Sequence, residues 1–207
     1  MIFVKICGIT NLEDALLAIQ AGAQALGFVF APSQRRVTGE VAEQIIRQLP
    51  PSVEPVGVFV NETPAKILNI VAQTNISMIQ LHGNENHSVC EYLSQFKKVI
   101  KAVKVKSAGE LRNHLEFPVW KILLDTYLPG IAGGSGQRFD WQILNHLDLS
   151  NIIVAGGINP ENVRELLQKY TPFGIDVSSG VETFPGKKDA GKLSRLFQQI
   201  LLNHPRY

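Results

Sequence analysis

The sequence predicts an α/β protein and, more specifically, a single (β/α)8 TIM barrel. Short apolar runs alternate with amphipathic helical segments along the 207 residues. Most of the runs are β-branched and apolar throughout, which is typical of parallel strands that are buried on both faces. A β/α unit of roughly 25 residues recurs eight times, as this barrel requires. A doubly wound open sheet is the alternative, because spacing alone does not show closure.

The strands and helices follow from these patterns in order. The predicted strands are residues 2–7, 25–30, 55–60, 77–81, 98–103, 119–125, 151–155 and 173–177. Apolar stripes with a 3.6-residue period predict four helices, with the stripes beginning at Leu12, Ala42, Val163 and Leu193. Less regular helices fit residues 63–74, 86–96, 107–115 and 140–147. No linker rich in Pro, Gly or Ser divides the chain, so residues 1–207 are interpreted as one domain.

Composition limits the function classes. The chain is 18% charged and 45% hydrophobic with a net charge of +2, which is globular and offers no basic block for nucleic acid. No apolar run approaches the length of a membrane span. Lys5 interrupts the first apolar stretch, so no signal peptide is expected. We therefore expect a cytoplasmic protein that binds neither nucleic acid nor membrane.

The cysteine and histidine patterns predict no metal site. Cys7 and Cys90 are too few for a disulfide framework and have no CxxC spacing. The five histidines are scattered, without a pair at metal-ligand spacing on a helix. These patterns favour a reducing compartment and a protein without a metal.

Two residues that end predicted strands are candidates for acid–base chemistry, because the carboxyl ends of the strands form the active face of such a barrel. Cys7 ends the first strand, although a buried structural cysteine explains it equally well. Asp125 ends the sixth, where a partly desolvated carboxylate can hold a raised pKa and donate a proton; an Asp that starts a turn is the alternative. The glycine-rich segment 126–141 then fits a mobile cover or a plain flexible loop.

Other strand ends carry candidate binding residues. Arg35 and Arg36 follow the second strand and suit a carboxylate or phosphate clamp, or else a solvated loop pair. Gln80 and His82 end the fourth strand and are interpreted as pocket lining or as packing residues.

Two glycine-containing loops follow the last two strands. They contain Gly156-Gly157 and Ser179-Gly180. Loops in these positions form the usual phosphate site of this barrel, where backbone amides meet the anion. The adjacent final positions favour a phosphate cradle over two tight turns.

Eight motifs occur in an order that resembles the phosphoribosylanthranilate isomerase family of tryptophan biosynthesis. They are KICGIT, GFVF, VGVFVN, QLHG, LLD, GGSGQRFDW, AGGI and DVSSGVE, and they extend from Val4 to about Lys188. The resemblance implies a cofactor-free Amadori rearrangement of a phosphorylated small molecule. The substrate would be N-(5-phosphoribosyl)anthranilate and the product 1-(2-carboxyphenylamino)-1-deoxyribulose 5-phosphate. The oligomeric state is left at monomer or homodimer.

The resemblance also implies roles for individual residues. Cys7 corresponds to the general base and Asp125 to the general acid, while Arg35 corresponds to the clamp for the anthranilate carboxylate, with Arg36 as its competitor. The two glycine loops, with Gly156, Gly157, Ser179 and Gly180, correspond to the phosphate site, and Asp176 is placed to meet the ribose. Since a free thiol has a pKa of about 8.5, Cys7 should have a lowered pKa or react from a minor thiolate fraction.

Three other functions remain as alternatives. A related barrel isomerase acts on a histidine-pathway phosphoribosyl aminoimidazole, but such enzymes use two carboxylates, whereas the first strand here ends in Cys7. A non-catalytic barrel that binds phosphorylated metabolites would be expected to lack Cys7 or Asp125. A redox thiol protein would need a resolving cysteine near Cys7.

Overall fold

Eight parallel strands form a closed barrel, which confirms the predicted fold and excludes the open sheet. The computed structural model describes residues 2–105, 115–126 and 139–203, apart from the side chain of His146. Each strand pairs with the next, and the last pairs with the first. The strands are β1 Phe3–Cys7, β2 Ala25–Val29, β3 Glu54–Phe59, β4 Met78–Leu81, β5 Lys98–Val105, β6 Lys121–Thr126, β7 Ile152–Val154 and β8 Gly174–Val177. The interpretation of residues 1–207 as one domain stays a prediction.

Helices follow most of the strands at the predicted places. They are α1 Leu12–Ala21, α2 Gly39–Ile46, α3 Pro64–Thr74, α4 His87–Ser94, α5 Val163–Lys169 and α6 Ala190–Asn203. Residues 140–147, predicted as a helix, contain the 3-10 helix Trp141–His146. The predicted helix 107–115 and most of the predicted cover lie outside the described residues. None of the helices in the described ranges has both the length and the apolarity needed to cross a membrane.

Polar side chains fix where several helices begin. Asn11, Thr38, Thr63 and Asn86 each accept a hydrogen bond from the backbone amide three residues later. Such a cap satisfies one of the amides that a helix start leaves unpaired. The caps therefore fix the first residues of α1, α2, α3 and α4, which follow the first four strands along the chain.

The barrel interior is closed by aromatic rings at the amino ends of the strands. Phe3, Trp120 and Phe173 pack edge-on or tilted against one another, with ring centroids 5.3–6.0 Å apart. Above them lies a layer of small and medium apolar side chains, including Ala25 and Ile153. Since this end is filled, the space for a ligand lies at the carboxyl ends of the strands.

Candidate active site

One pocket at the carboxyl ends of the strands brings together all of the predicted site residues except Gly180. Its predicted members are Cys7, Arg35, Gln80, His82, Asp125, Gly156, Gly157, Asp176 and Ser179. Apolar side chains of β2 and β3, such as Val29 and Val58, complete the described wall. The pocket therefore combines an apolar side with a polar side that carries titratable groups.

Cys7 is the last residue of β1, and its thiol borders the pocket while only 8% of the residue is exposed. Its carbonyl oxygen accepts a hydrogen bond of 2.6 Å from Lys188 Nζ, which fixes the strand end. Burial raises the pKa of the thiol above its ordinary value, and the nearby Lys5 ammonium opposes that rise. The expectation of a lowered pKa is therefore wrong for this site, and the alternative of a minor thiolate fraction agrees with it.

Asp125 lies near the end of β6 as one end of a chain of three polar side chains. Its Oδ1 accepts from the Thr126 amide at 2.8 Å, and its Oδ2 lies 3.1 Å from His82 Nε2. Gln80 Nε2 lies 2.9 Å from His82 Nδ1. If the Gln80 amide donates to Nδ1, then Nε2 carries the imidazole proton and donates it to the Asp125 carboxylate. The chain therefore orients the carboxyl group at the pocket.

Arg35 reaches the pocket because a carboxylate on the other side holds it there. Its Nε donates to both carboxylate oxygens of Glu182, at 2.9 and 3.1 Å, and its Nη2 donates to one of them at 2.7 Å. Because Glu182 binds the edge of the planar guanidinium that carries Nε and Nη2, the N–H groups of Nη1 can donate to another anion. Arg36, in contrast, is exposed and does not line the pocket.

Glu182 and Lys188 are two residues that sequence reasoning missed. They lie on the short hairpin formed by β9 Glu182–Phe184 and β10 Lys187–Lys188 after the last barrel strand. Lys188 Nζ lies 2.8 Å from Glu182 Oε1, and both side chains are buried. Burial works to raise the pKa of Glu182, but Arg35 and Lys188 hold it below its usual value. Glu182 is the last residue of the DVSSGVE motif, so the motif could have identified it as a candidate. Nothing in the sequence predicts that it binds Arg35 or Lys188.

Lys5 was also missed, and it pairs with a predicted residue. Lys5 Nζ lies 2.8 Å from Asp176 Oδ1 across the junction of β1 and β8. The signal in the sequence was a charged residue in the middle of an apolar strand. Asp176 lines the pocket as predicted, but at least one of its oxygens is engaged by Lys5.

The two glycine loops pack backbone against backbone. Gly156 and Gly157 have φ angles of +79° and +65°, where other residues are strained. A Cβ added at Gly180 would lie 2.0 Å from the carbonyl oxygen of Ile158, in the loop after β7. Gly180 therefore allows the two loops to approach each other, and Ser179 reaches the pocket beside it.

A buried thiol and a buried carboxylate at one barrel mouth, beside two glycine loops, define a (β/α)8-barrel enzyme for acid–base chemistry on a small molecule. Residues 4–199 match the model of the N-(5'-phosphoribosyl)anthranilate (PRA) isomerase family. The chain therefore belongs to the N-(5'-phosphoribosyl)anthranilate isomerase family. This confirms the resemblance, the enzyme class (an isomerase) and the pathway, which is tryptophan biosynthesis.

Individual relatives agree over nearly the whole chain. An N-(5'-phosphoribosyl)anthranilate isomerase from Desulforudis audaxviator is 48% identical over 196 residues, covering 93% of this chain and 95% of the relative. A phosphoribosyl anthranilate isomerase crystallised with reduced 1-(o-carboxyphenylamino)-1-deoxyribulose 5-phosphate has a TM-score of 0.84 and 43% identity, covering 96% and 98% of the two chains. A structure of monomers generated from the dimeric Thermotoga maritima enzyme has a TM-score of 0.83 and 42% identity, with the same coverage of 96% and 98%.

Proposed function

We propose that this isomerase converts N-(5-phosphoribosyl)anthranilate to 1-(2-carboxyphenylamino)-1-deoxyribulose 5-phosphate, with Asp125 as general acid and Cys7 as general base. The observation that carries the proposal is that these two side chains, from β6 and β1, line the same pocket. The relative crystallised with the reduced product analogue supports the substrate class. The experiment that tests the division of roles is the pair Cys7→Ala and Asp125→Asn, since each should block a different proton transfer.

Asp125 acts first, at the ribose ring oxygen. Its proton goes to that oxygen as the bond from the oxygen to C1 breaks, and the anthranilate nitrogen lone pair forms a C1=N double bond. The product of this step is an iminium cation and an Asp125 carboxylate. Hydrogen bonds from Thr126 and from the His82 ring then stabilise the carboxylate that remains.

Cys7 acts second, at C2. The cationic nitrogen acidifies the C2 hydrogen, which moves to the Cys7 thiolate while the C2–H electron pair forms the C1=C2 bond of a neutral enolamine. A proton added at C1 and the loss of the C2 hydroxyl proton then give the ketone. The positive charge of the iminium that Asp125 creates favours the thiolate form of Cys7, so the two proton transfers follow in this order.

Gln80 is proposed to contact the substrate directly. Its side chain is 1% exposed and lines the pocket. Its Oε1 is buried without a hydrogen-bond partner among the described residues. Because an unsatisfied buried acceptor costs about 1–3 kcal/mol, a substrate hydroxyl that donates to it would gain affinity. His82 lies beside it and would meet the same part of the substrate.

The 5'-phosphate is proposed to bind between the loop of Gly156-Gly157 and the turn that begins at Ser179. The close approach of the two loops and the position of Ser179 on the pocket wall support this site. Inorganic phosphate should inhibit competitively, and Ser179→Ala should weaken that inhibition several-fold, because one hydroxyl donor to the anion is lost. Chloride at equal ionic strength is the control. If phosphate does not inhibit, or inhibits no more strongly than chloride, the proposed phosphate site is contradicted.

Arg35 is proposed to bind the anthranilate carboxylate. Arg35→Met should weaken substrate binding by about 1.5–3 kcal/mol, the scale of a charge-assisted hydrogen bond, and so raise KM roughly ten- to hundred-fold. Lys188 remains beside Glu182 in this variant, so the carboxylate keeps a cation. Arg36→Met is the matched control, since Arg36 is exposed, and its KM should stay near wild type. The opposite ranking of the two variants would show that Arg36 is the clamp.

The protein is proposed to act in the cytoplasm as a monomer or a homodimer. The Thermotoga maritima relative is described as dimeric, and monomers generated from it crystallised, so a monomer or a homodimer is proposed here. Both cysteines are free thiols, and a thiol that acts as a base must stay reduced. This requirement supports the cytoplasm as the location.

A further inference from the structure

A buried ion pair stands directly beneath the proposed base. Lys5 is fully buried, and Asp176 is 8% exposed, with 2.8 Å between Lys5 Nζ and Asp176 Oδ1. Two residues earlier on the same strand face, Phe3 packs with the aromatic rings that close the other end of the barrel. The Lys5 ammonium therefore has no route to solvent at that end and is directed toward the pocket.

The Lys5 ammonium and the Cys7 thiol converge on one point. A methyl group built at Gly27, on the neighbouring strand, would lie 2.6 Å from Cys7 Sγ and 3.0 Å from Lys5 Nζ. The Lys5 ammonium thus contacts the Asp176 carboxylate and lies close to the Cys7 sulfur, and both of these groups can carry negative charge.

The other charged groups around Cys7 are already engaged elsewhere. Lys188, from β10, directs its ammonium to Glu182 and to the carbonyl oxygen of Cys7. Arg35, from the loop after β2, is held by Glu182. Among the described groups that face Cys7, Lys5 is the cation with the largest influence on the thiol, and Asp176 opposes it.

We propose that Lys5 is a positioning residue that holds Cys7 as a thiolate during the reaction, and that Asp176 moderates this effect by competing for the same ammonium. The proposal deepens the proposed function and rests on Cys7 as the base. A buried anion is costly unless a cation lies nearby, and the Lys5 ammonium beside the sulfur supplies that cation. Cys7 alternates between thiolate and thiol in each turnover, while Lys5 keeps its charge.

Lys5 is suited to this task because it stays charged. Burial disfavours the ammonium, but the Asp176 carboxylate and the Cys7 sulfur outweigh it and raise the pKa of Lys5 above its ordinary value. Its charge is therefore present throughout the neutral range, and only Cys7 changes protonation. Lys5 and Asp176 should thus shift the reactivity of Cys7 in opposite directions.

The test is the pH dependence of alkylation at Cys7 in the free protein, followed on the Cys7 peptide by mass spectrometry with iodoacetamide as the probe. Lys5→Met should shift the rate profile to higher pH and lower the rate at pH 8 by about tenfold or more, the factor that one pKa unit gives. Asp176→Asn should shift the profile to lower pH. A role in packing alone would not produce shifts of opposite sign.

Two further double variants show whether a shifted profile comes from lost structure rather than from lost charge. Lys5→Met leaves a buried carboxylate unpaired, which is strongly destabilising, so Lys5→Met/Asp176→Asn removes both charges together. That double variant should still alkylate at higher pH than wild type, because the Lys5 effect exceeds that of Asp176. Lys101→Met/Glu85→Gln is the matched control, since it removes a second buried pair, with 2.8 Å between Lys101 Nζ and Glu85 Oε2, away from the pocket lining. Its Cys7 profile should not move.

The outcomes separate this inference from the proposed function. An unshifted profile in both Lys5 variants, with Cys7→Ala inactive, would overturn the role of Lys5 and leave Cys7 as the base. Turnover that survives in Cys7→Ala would overturn the proposed role of Cys7 as the base, whatever the alkylation profiles show. Shifts of opposite sign for Lys5→Met and Asp176→Asn, with Cys7→Ala inactive, support both.

Discussion

Cys7→Ala is expected to fold and to lose about three decades of kcat or more, the upper range for removing a positioned base. The physical reason is that the C2 proton then has no acceptor at the end of β1. Replacing a buried thiol by a methyl group costs little stability, because cysteine packs here as a small apolar side chain. Steady-state turnover, together with circular dichroism and a thermal melt, separates lost chemistry from lost structure.

The second cysteine offers a matched control for this result. Cys90 is fully buried on α4 and does not line the pocket, and burial raises the pKa of its thiol to about 11. Cys90→Ala should therefore turn over at a rate close to wild type. Turnover of Cys7→Ala within a few-fold of the Cys90→Ala value would remove Cys7 from the mechanism.

Asp125→Asn is expected to bind substrate but to lose about two to four decades of kcat, the range for a general acid. An amide of nearly the same shape cannot give a proton to the ring oxygen, so the iminium does not form. Because C2 is acidified only in the iminium, substrate deuterated at C2 should keep its label in this variant. Proton magnetic resonance of the recovered substrate measures the label directly.

The label also distinguishes the order of the two proton transfers. Loss of deuterium from C2 without net product would place Asp125 after ring opening, and the acid assignment would have to be abandoned. Asp148→Asn is the control, since this carboxylate caps a short turn away from the pocket lining. That variant should convert substrate and release the label as wild type does.

The sequence predicted the strands well because their chemistry is local. All eight lie within two residues of the expected ranges, since strands buried on both faces are apolar along their whole length. Cys7 and Asp125 became candidates for the same reason, because each is a polar or reactive group at the end of such a run. The 3-10 geometry of residues 141–146 was not predicted, since a short apolar period fits several helix types.

Pairings between distant residues could not be predicted. Asp176 was expected to meet the ribose, and nothing in its surroundings along the chain shows that Lys5 binds it across 171 positions. The Arg35 clamp depends in the same way on Glu182, 147 positions away. Such contacts follow from the closure of the barrel rather than from local pattern, and the roles of the site residues stay predictions until the variants are measured.

The pairing of β1 with β8 has a consequence for when the protein becomes active during its synthesis. Contacts that join residues so far apart form late and slowly in folding, because a long loop must close first. The two proposed proton-transfer groups are both present once a ribosome has made residue 125, but Asp176, Glu182 and Lys188 are still to be translated. A nascent or truncated chain that ends between Asp125 and Asp176 therefore carries Cys7 and Asp125 without the carboxylates that hold Lys5 and Arg35 and without the Lys188 ammonium. We expect such a chain to be inert, so that catalytic competence begins only when translation has passed the eighth strand and its hairpin.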